Sequence, residues 1–591
     1  MALKMMQIFW GTLFMKKNYQ FNQLSYAEQL KFTKIPKFQR SLVWSKQKKL
    51  DLLKTLHKNF PFGSLLVSPI SSDKSSYRLL DGQQRLSTIK NFEDDKLFYW
   101  KQLNAEKYNK LLEDVNLNLS KNSLEPISSY LFDQLLSDEI ELADWTDEYD
   151  KDDFQNVSKR ELRNQITKIK EEIENYINLS TLTIPVIEFL GDEADLPEVF
   201  ENLNRGGVPL TKYEVLNASW SEEFISIPEN NVLGDEILRY VKEYYNKIRN
   251  NSAFELENFS EDDITSNRSI NLAELSRAIG EFVVNRIPSL VSKKDKSNNE
   301  IGFGLMGIIT GTHNKKIATL KNKSSFIQNN IDNILQRLNS IANQINAPFD
   351  KLLRQNISFS NKKNSKKEQY SNGLSTTFKV LSYFASLWDM SENDVKVSLQ
   401  NIPSYYIYDY LTKAWTAHGD ERLFEYYSGQ TKNYLSPLNK DSFISAFNSW
   451  ILEFDGNRKT FSKEIKALIT IHSNLTYMSR EIPKIEDYEF EHVIPKARIL
   501  NSNVSNRVIL SHLGNGMFLP KSLNNSKSSH TLYEYNQSDY KTLITESNYF
   551  TSEEFNSIFN ALDTSDDAFV NNIIKSRAKL MAINIADKIC Q

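Results

Sequence analysis

Apolar residues in the first hundred positions follow a helical period and then a strand-like pattern. Leu50, Leu53 and Leu56 recur three or four residues apart, and Phe60 continues the same stripe. Ser45 precedes them and can act as an N-cap, so the pattern predicts a helix that begins after Ser45. The Pro-Phe-Gly sequence that follows ends this helix, because proline and glycine interrupt helical structure.

Two short apolar runs follow and predict strands. Residues 64–70 (SLLVSPI) have the pattern of a buried strand, and residues 77–80 (YRLL) have that of a second strand. A turn then leads into a helix, which is marked by apolar residues at helical spacing: Leu86, Ile89 and Phe92. Together these segments predict a small α/β unit.

Residues 101–180 are charged and helical in pattern, and we interpret them as an insertion into this unit. Residues 181–190 (TLTIPVIEFL) return to a strand pattern. Thr211 with Glu214 forms a capping-box sequence, which predicts the start of another helix. The unit is therefore expected to close near residue 220.

The rest of the chain is mainly helical in pattern. From residue 435 onward, short helices lead to a strand-like alternation at residues 487–492 (DYEFEH), and the last thirty residues predict a helix. We expect an α+β multidomain protein that is mainly helical. The predicted domains are an α/β domain at residues 1–220, a helical linker domain at 221–434 and a C-terminal domain at 435–591.

Composition and charge limit the class of protein. At about 150 residues per domain, the 591 residues correspond to about three or four domains. Hydrophobic residues make up 40% and charged residues 25%, as in a folded globular protein. The net charge is -3, so a nucleic-acid partner would have to meet basic groups gathered on particular faces. Cys590 is the only cysteine, which excludes an intrachain disulfide and favours a reducing cytoplasm.

An apolar stretch lies near the N-terminus at residues 5–15 (MMQIFWGTLFM). It is about half the ~20 residues that a helix needs to cross a bilayer. It also lacks the small-residue cleavage site of a signal peptide. We interpret it as an extension that packs on the fold, with Met15 as an alternative start to Met1, and we expect no membrane partner.

The sequence around His492 contains side chains that hydrolysis of a phosphodiester requires. A neutral imidazole can take a proton from water near pH 7, and Mg²⁺ prefers oxygen ligands. Glu491 and His492 at the end of a strand point to opposite faces, so that one can face a metal ion and the other the attacking water. A following helix would return Asn524 as an amide ligand. Asn515 can hydrogen-bond the backbone near His492.

These residues resemble the HNH, or ββα-metal, nucleases, and specifically the C-terminal nuclease half of GmrSD-type restriction proteins. That half has acidic-His-Ile-x-Pro, then Gly-Asn-Leu-x-Leu, then Asn and Ser, where this chain has EHVIP, GNGMFL and LNNSKSS. The resemblance implies that His492 is the general base and that Asn515 steadies its loop. It implies that Glu491 and Asn524 bind Mg²⁺ or Mn²⁺, with Asn525 as an alternative to Asn524.

This chain departs from the family pattern at Gly516-Met517, where the family more often has Leu-Thr, but neither position is a ligand. The remaining histidines form no constellation, and we expect His512 and His530 to be surface residues. DNA contacts are expected from Lys496, Arg498 and the lysine-rich residues 361–373.

A second candidate site is the sequence DGQQR between a predicted strand and a predicted helix. The start of a helix exposes backbone amides that favour phosphate, and Gly82 allows a ligand to approach the backbone. Arg85 adds a planar cationic donor on the first turn. Asp81 can hold a metal or a nucleotide sugar, and Gln83 or Gln84 can orient a water. The alternative interpretation is a common Asp-Gly turn followed by a solvated helix start.

This second motif resembles the ParB-like N-terminal domain of GmrSD-type proteins. That domain has DGQQR after a strand, a PxxQR…W sequence upstream, and a closing segment similar to FENLNRGGVPLTKYE in this chain. In the family it binds and hydrolyses nucleotide and senses modified DNA, which implies an NTP site, with GTP, ATP or another nucleotide left open. The implied nucleotide-site residues are Asp81, Gly82, Gln83, Gln84 and Arg85, with Gln39 and Arg40 at the same site or in DNA sensing, and Asn204, Arg205 and Gly206 lining the pocket.

The two motifs on one chain predict a modification-dependent DNA endonuclease of the type IV restriction kind, which uses NTP and cuts or nicks modified phage DNA with a divalent metal. Glucosylated hydroxymethylcytosine DNA and phosphorothioate DNA are both substrates within this wider family, and the sequence does not choose between them. The alternatives are a nonspecific or toxin-like DNase, an NTP-dependent DNA-binding regulator with an inactive nuclease end, and a structural partner in a larger complex. We expect a bacterial cytoplasmic protein, and a homo-oligomer is left open.

Overall fold

The computed structural model of the protein describes most of the chain. The described residues are 18–34, 44–70, 76–147, 156–191, 216, 220, 223–251, 261–292, 294–355, 369–429, 432–478, 488–535 and 541–590. Helices account for 62% of the structure and the sheets are small, so the prediction of a mainly helical α+β protein is confirmed.

The chain divides into two compact units. Unit 1 comprises residues 1–219 and 242–261, and unit 2 comprises residues 220–241 and 262–591. Within unit 2, helices from both sides of residue 434 pack against one another. The separation of residues 221–434 and 435–591 into two domains stays a prediction.

Unit 1 contains a four-stranded sheet. In space the strands follow the order β1-β4-β2-β3, in which β2 and β4 are parallel and the other two pairs are antiparallel. Three of these strands were predicted from apolar runs. The first strand was not, because most of its side chains are exposed and give no apolar alternation. The strands are β1 (Tyr19–Ser25), β2 (Leu65–Pro69), β3 (Tyr77–Asp81) and β4 (Thr183–Phe189).

The described helices of unit 1 include the predicted helix after Ser45, the predicted helix after Gly82 and the helices of the predicted insertion. Ser45 caps the first helix by accepting a hydrogen bond from the backbone N–H of Lys48. The extension of this helix to Phe60 is wrong, because the chain turns at Asn59, whose φ is 54°, and Phe60 is exposed. The helices are α1 (Lys46–His57), α2 (Gln83–Asp94), α3 (Lys96–Leu103), α4 (Ala105–Lys121), α5 (Ser129–Leu136), α6 (Leu142–Asp147) and α7 (Asn156–Glu174).

Unit 1 has two apolar cores. The first lies between the sheet and helices α1 and α2, and its members include Leu53, Val67, Leu79, Leu86 and Val186. The second lies among helices α3 to α7, and its members include Trp100, Val115, Phe132, Leu135 and Ile166. The predicted insertion is therefore helical and buries apolar side chains of its own.

Unit 2 is mainly helical before the nuclease-like motif. Its described elements up to residue 475 include two short antiparallel strand pairs, β5 with β6 and β7 with β8. The strands are β5 (Phe224–Ser226), β6 (Ser269–Asn271), β7 (Arg354–Gln355) and β8 (Gln369–Tyr370). The helices are α8 (Val232–Asn251), α9 (Glu261–Thr265), α10 (Leu272–Arg286), α11 (Asp295–Thr310), α12 (Ser324–Leu353), α13 (Thr377–Leu387), α14 (Glu392–Leu411), α15 (Gly419–Phe424), α16 (Lys440–Glu453) and α17 (Lys463–Leu475). Residues 242–251 of α8 and Glu261 of α9 belong to unit 1.

The C-terminal part of unit 2 contains two antiparallel strands followed by a short helix. Strand β9 (Tyr488–His492) pairs with β10 (Gly516–Pro520), and α18 (Lys496–Leu500) lies in the connection between them. Helix α19 (Lys521–Lys527) follows β10 directly. The chain then forms α20 (Lys541–Glu546), α21 (Ser552–Asp563) and α22 (Asp567–Ile589), and the last of these agrees with the predicted C-terminal helix.

The two faces of the β9–β10 pair contact different parts of unit 2. One face packs with Leu523 of α19 and with apolar residues of α21 and α22. The other face carries Tyr488 and Phe518, which pack with Tyr477. None of the helices in the described ranges has the length and apolar character to span a bilayer.

Candidate functional site

The register of β9 and β10 places the nuclease-like residues on both faces of a strand pair. His492 lies opposite Gly516, and Glu491 lies opposite Met517. Side chains alternate along a strand, so Glu489 and Glu491 share the face that α19 covers, whereas His492 points to the other face. This alternation agrees with the expectation that Glu491 and His492 point apart.

Helix α19 brings two polar side chains onto the face that holds the two glutamates. Asn524 Nδ2 donates a hydrogen bond to Glu489 Oε1 at 2.8 Å, and Lys527 Nζ donates one to Glu491 Oε1 at 2.8 Å. Residues three apart on a helix advance about 4.5 Å and residues two apart on a strand about 6.7 Å, and long side chains such as lysine can cover the difference. We call Glu489, Glu491, Asn524 and Lys527 the acidic face.

The ion pair on the acidic face is withdrawn from water. The side chain of Lys527 is 1% exposed and that of Glu491 is 16% exposed. A charged pair at such depth needs mutual compensation, because removal of one partner leaves an uncompensated buried charge. The ammonium group therefore fixes the carboxylate of Glu491 in place.

The two residues predicted to bind metal thus each contact a residue that the sequence analysis did not single out. Asn524 meets Glu489, and Glu491 meets Lys527. Glu489 precedes Glu491 by two positions, which is the strand period, so the alternation of β9 would have found it. Lys527 follows Asn524 by three positions, which is close to one helical turn.

His492 lies in an apolar environment on the opposite face. Its ring stacks on Phe461, with the ring centroids 4.3 Å apart, and the residue is 8% exposed. Burial, together with the positive charges of Lys496 and Lys527, lowers the pKa of His492 to about 3. The imidazole is therefore neutral at pH 7. Its Nε2 is buried and has no hydrogen-bond partner among the residues that the structure describes.

Asn515 binds the backbone that follows His492. Its Oδ1 accepts from the N–H of Ile494 at 2.8 Å, and its carbonyl oxygen accepts from the N–H of Val493 at 2.8 Å. Its Nδ2 donates to the carbonyl oxygen of Leu510 at 3.0 Å. The side chain is fully buried, so these bonds tie the start of β10 to the end of β9.

A buried arginine on α22 supports the same loop from behind. Arg577 donates to the carbonyl oxygens of Gly514 at 2.9 Å and Gly516 at 3.0 Å, on either side of Asn515. Burial lowers the pKa of Arg577 to about 10, so the guanidinium remains charged at pH 7. The sequence analysis missed this residue, because it is far from the motif along the chain.

Gly514 allows the loop to touch α22. A Cβ atom at this position would lie 1.8 Å from the carbonyl oxygen of Ile574, a backbone atom that cannot move aside alone. Only glycine fits here, which gives the Gly-Asn of the motif a packing reason as well as a hydrogen-bonding one.

The surface prediction is wrong for His512. This residue is fully buried; its Nδ1 accepts from the N–H of Gly514 at 3.3 Å, and its Nε2 lies 3.2 Å from the carbonyl oxygen of Ile451. It caps the short 3₁₀ turn Leu513–Asn515, which explains its burial. His530 is exposed, as expected. His472 is also fully buried, and burial lowers its pKa to about 3.

The predicted DNA-contacting residues have mixed surroundings. The guanidinium of Arg498 pairs with Glu534 at 2.6 Å and lies over the ring of Phe559, so its charge is partly neutralised. Lys496 is half-buried beside the motif. Of residues 361–373, only 369–373 fall within the described ranges. Their role in DNA binding stays a prediction.

The DGQQR sequence of unit 1 forms the junction that was predicted from its pattern. Asp81 ends β3, Gly82 has a φ of 99°, and α2 begins at Gln83. The positive φ favours glycine at this position, and a Cβ atom here would displace the side chain of Leu65, whose Cδ2 would lie 2.2 Å away. Arg85 lies in the first turn of α2, with its guanidinium 3.6 Å from the carboxylate of Asp81.

The polar side chains of this junction differ in their partners. Arg85 also donates to the carbonyl oxygen of Ser64, and Gln84 Oε1 accepts from the N–H of Trp44 at 3.0 Å. Gln83 is buried, and its Nε2 has no hydrogen-bond partner among the described residues. The other predicted pocket residues lie outside the described residues: Gln39, Arg40, Asn204, Arg205 and Gly206.

The acidic face has the donor chemistry of a site for a hard cation. Glu489, Glu491 and Asn524 offer carboxylate and amide oxygens, which suit Mg²⁺ or Mn²⁺. No cluster of three or more His, Cys, Asp or Glu side chains that could hold a metal ion occurs in the described parts of the chain. A cation here would use the amide oxygen of Asn524 in addition to the two carboxylates.

Comparison with known families adds an assignment for the N-terminal part. Residues 19–221 match the family model described as GmrSD restriction endonuclease, N-terminal domain. This range includes the four-stranded sheet, the helical insertion and the DGQQR junction. The match supports a GmrSD-type N-terminal domain over this part of the chain. No curated protein matches the chain.

Proposed function

We propose that the protein is a modification-dependent DNA endonuclease of the type IV restriction kind, acting in defence against phage. The match of residues 19–221 to the GmrSD N-terminal domain supports the restriction class. The nuclease part of the proposal depends on one observation: α19 packs against β9 and brings Asn524 to the face that carries Glu489 and Glu491. Glu491 directly precedes His492, whose imidazole is neutral at pH 7.

His492 is the general base in this proposal. The imidazole of His492 is neutral at pH 7, and the neutral ring is the form that accepts a proton from an attacking water. The stack on Phe461 limits rotation of the ring. Asn515 and Arg577 hold the flanking backbone, and they act as positioning residues because they touch the loop rather than the reacting atoms.

Glu491 and Asn524 are the proposed metal-binding residues, as the sequence predicted, and the fold adds Glu489 as a third oxygen donor. When bound, Mg²⁺ or Mn²⁺ would stabilise negative charge on the phosphate and lower the pKa of a water. The protein holds these oxygen donors on one face of β9 and keeps the imidazole of His492, on the opposite face, neutral.

Unit 1 is proposed to bind and hydrolyse NTP at the DGQQR junction. The start of α2, a helix of 12 residues, exposes backbone amides where phosphate would be favoured. Arg85 would contact phosphate, and the unpartnered amide of buried Gln83 would bind ligand or water. The proposed role of this domain is to sense modified DNA and to make cutting depend on that recognition.

Cleavage of matched DNA substrates tests the proposal. The full chain is incubated with modified phage DNA and with unmodified DNA of the same sequence, with and without NTP, in Mg²⁺ or in EDTA. We expect cutting or nicking of the modified DNA only, and only with metal and NTP. Equal cutting of both DNAs would favour a nonspecific DNase, and NTP-dependent binding without any cutting would favour a regulator.

A further inference from the structure

The acidic face already contains a cation that belongs to the protein. Lys527 Nζ is 2.8 Å from Glu491 Oε1, and the lysine side chain is 1% exposed. A single buried ammonium therefore compensates the carboxylate of a proposed metal ligand.

A divalent cation at Glu491 would have to share the carboxylate with this ammonium or displace it. Charges of the same sign a few ångströms apart repel strongly when water is largely excluded. Glu489 has a neutral partner, because Asn524 binds it through an amide, and this contact adds no repulsion. Lys527 is the one residue of the acidic face that opposes a metal ion.

We propose that Lys527 competes with the divalent cation for Glu491 and so sets how tightly the site binds metal. This inference rests on the proposed metal-dependent nuclease function and adds a control element to that site. Without metal, the ammonium compensates the buried carboxylate and preserves the acidic face. Metal binding displaces Lys527 from Glu491, which exposes the ammonium at the edge of the site. Lys527 is thus a positioning residue that acts through Glu491.

Metal affinity of the full chain measures this competition directly. Lys527→Met removes the ammonium and keeps a long apolar side chain. We expect Mn²⁺, measured by titration calorimetry without DNA, to bind this variant at least about tenfold more tightly than the wild-type protein. Lys579→Met is the matched control, because it removes an exposed lysine from the same unit. We expect the control to bind Mn²⁺ like the wild type.

A double variant shows whether Lys527 acts through Glu491. The double variant Lys527→Met/Glu491→Gln is compared with the single variant Glu491→Gln. We expect the two to bind Mn²⁺ with equal affinity, because the carboxylate for which Lys527 and the metal compete is absent from both. A gain that persists in the double variant would overturn the proposal, because the effect would then arise elsewhere in the protein.

Chemical labelling tests displacement in the wild-type protein and needs no variant to fold. Lys527 is shielded from solvent, so we expect it to react slowly with an amine-acylating reagent and at least several-fold faster with Mn²⁺ present. Acylation is measured by peptide mass spectrometry, with Lys579 as the internal reference. A rate for Lys527 that Mn²⁺ leaves unchanged, while calorimetry shows binding, would overturn the displacement.

The outcomes separate this inference from the proposed function. Equal Mn²⁺ affinity in the wild type and in folded Lys527→Met would refute the competition and leave the nuclease proposal intact. No Mn²⁺ binding in either protein would refute the metal site itself, and with it both proposals. Folding of the variant is checked by circular dichroism and by its thermal unfolding transition.

Discussion

Asn515 Oδ1 lies 2.8 Å from the backbone nitrogen of Ile494. Asn515 directly precedes β10, and through this contact it positions the residues that follow His492 at the end of β9. The contact is buried, and the amide nitrogen of the same side chain reaches Leu510. The Oδ1 and Nδ2 atoms of Asn515 therefore both bind backbone groups, and the position of His492 depends on these hydrogen bonds.

Asn515→Ala should weaken both stability and cutting. The change leaves a buried N–H and a buried carbonyl without partners, each costing about 1–3 kcal/mol. We expect the thermal unfolding midpoint to fall and the cleavage rate to drop at least about tenfold, with DNA affinity within about twofold of wild type. Asn572→Ala, which removes an exposed asparagine from the same unit, is the control and should cut like the wild type. Unchanged cutting by Asn515→Ala would contradict the positioning role of Asn515.

His492→Ala should abolish cutting and spare DNA binding. Loss of a general base typically costs about 10²–10⁴-fold in rate. The measurements are single-turnover cleavage and a gel-shift titration on the same DNA. His530→Ala, which removes an exposed histidine from the same unit, should cut normally. Unchanged cutting by His492→Ala would remove this residue as the base.

Arg85→Ala should abolish NTP hydrolysis. The guanidinium lies beside Asp81 and at the carbonyl of Ser64, at the start of α2, where the phosphates are proposed to bind. The rate of phosphate release is measured for the full chain, and Arg160→Ala, at an exposed site in the same unit, should hydrolyse NTP at the wild-type rate. Normal turnover in Arg85→Ala would mean that the nucleotide pocket lies elsewhere.

Buried histidines should make the protein sensitive to acid. Burial lowers the pKa of His472 from 6.5 to about 3, so the unfolded chain binds a proton that the folded chain does not bind between these pH values. The resulting stability is fully present above pH 6.5 and is lost as the pH falls toward 3. Each pH unit inside this window removes about 1.4 kcal/mol per such histidine.

His472→Gln should therefore reduce the dependence of stability on pH. Thermal unfolding midpoints at pH 7.5, 6.0 and 5.0 measure this slope, and the comparison of slopes is independent of any constant loss from the smaller contact area. His530→Gln, at an exposed site, should keep the wild-type slope. An equal slope in His472→Gln and the wild type would contradict the prediction.

The sequence predicted much of the fold around the two motifs, because local patterns determine those elements. Apolar runs marked β2, β3 and β4, and alternation marked β9. Strand β1 escaped notice because four of its seven residues are exposed and its partner, β4, is distant along the chain. Ser45 was identified as a cap because a helix start has a strong local preference.

The candidate site was only partly predictable, since its contacts join residues that are distant along the chain. The motif indicated Glu491 and Asn524, but their partners depend on how α19 lies over β9. Arg577 comes from a helix more than sixty residues away from Gly514 and has no local signature. His512 was expected at the surface, whereas it caps a buried turn.

The helical insertion of unit 1 has a core of its own, built around side chains such as Trp100, Phe132 and Ile166. Tyr176 is a partly buried neighbour of both this core and that of the sheet. Ile177 and Leu179, at the end of the insertion, are buried in the core of the sheet. Changes in the length or sequence of the insertion should therefore disturb the sheet least where they stay away from these last residues.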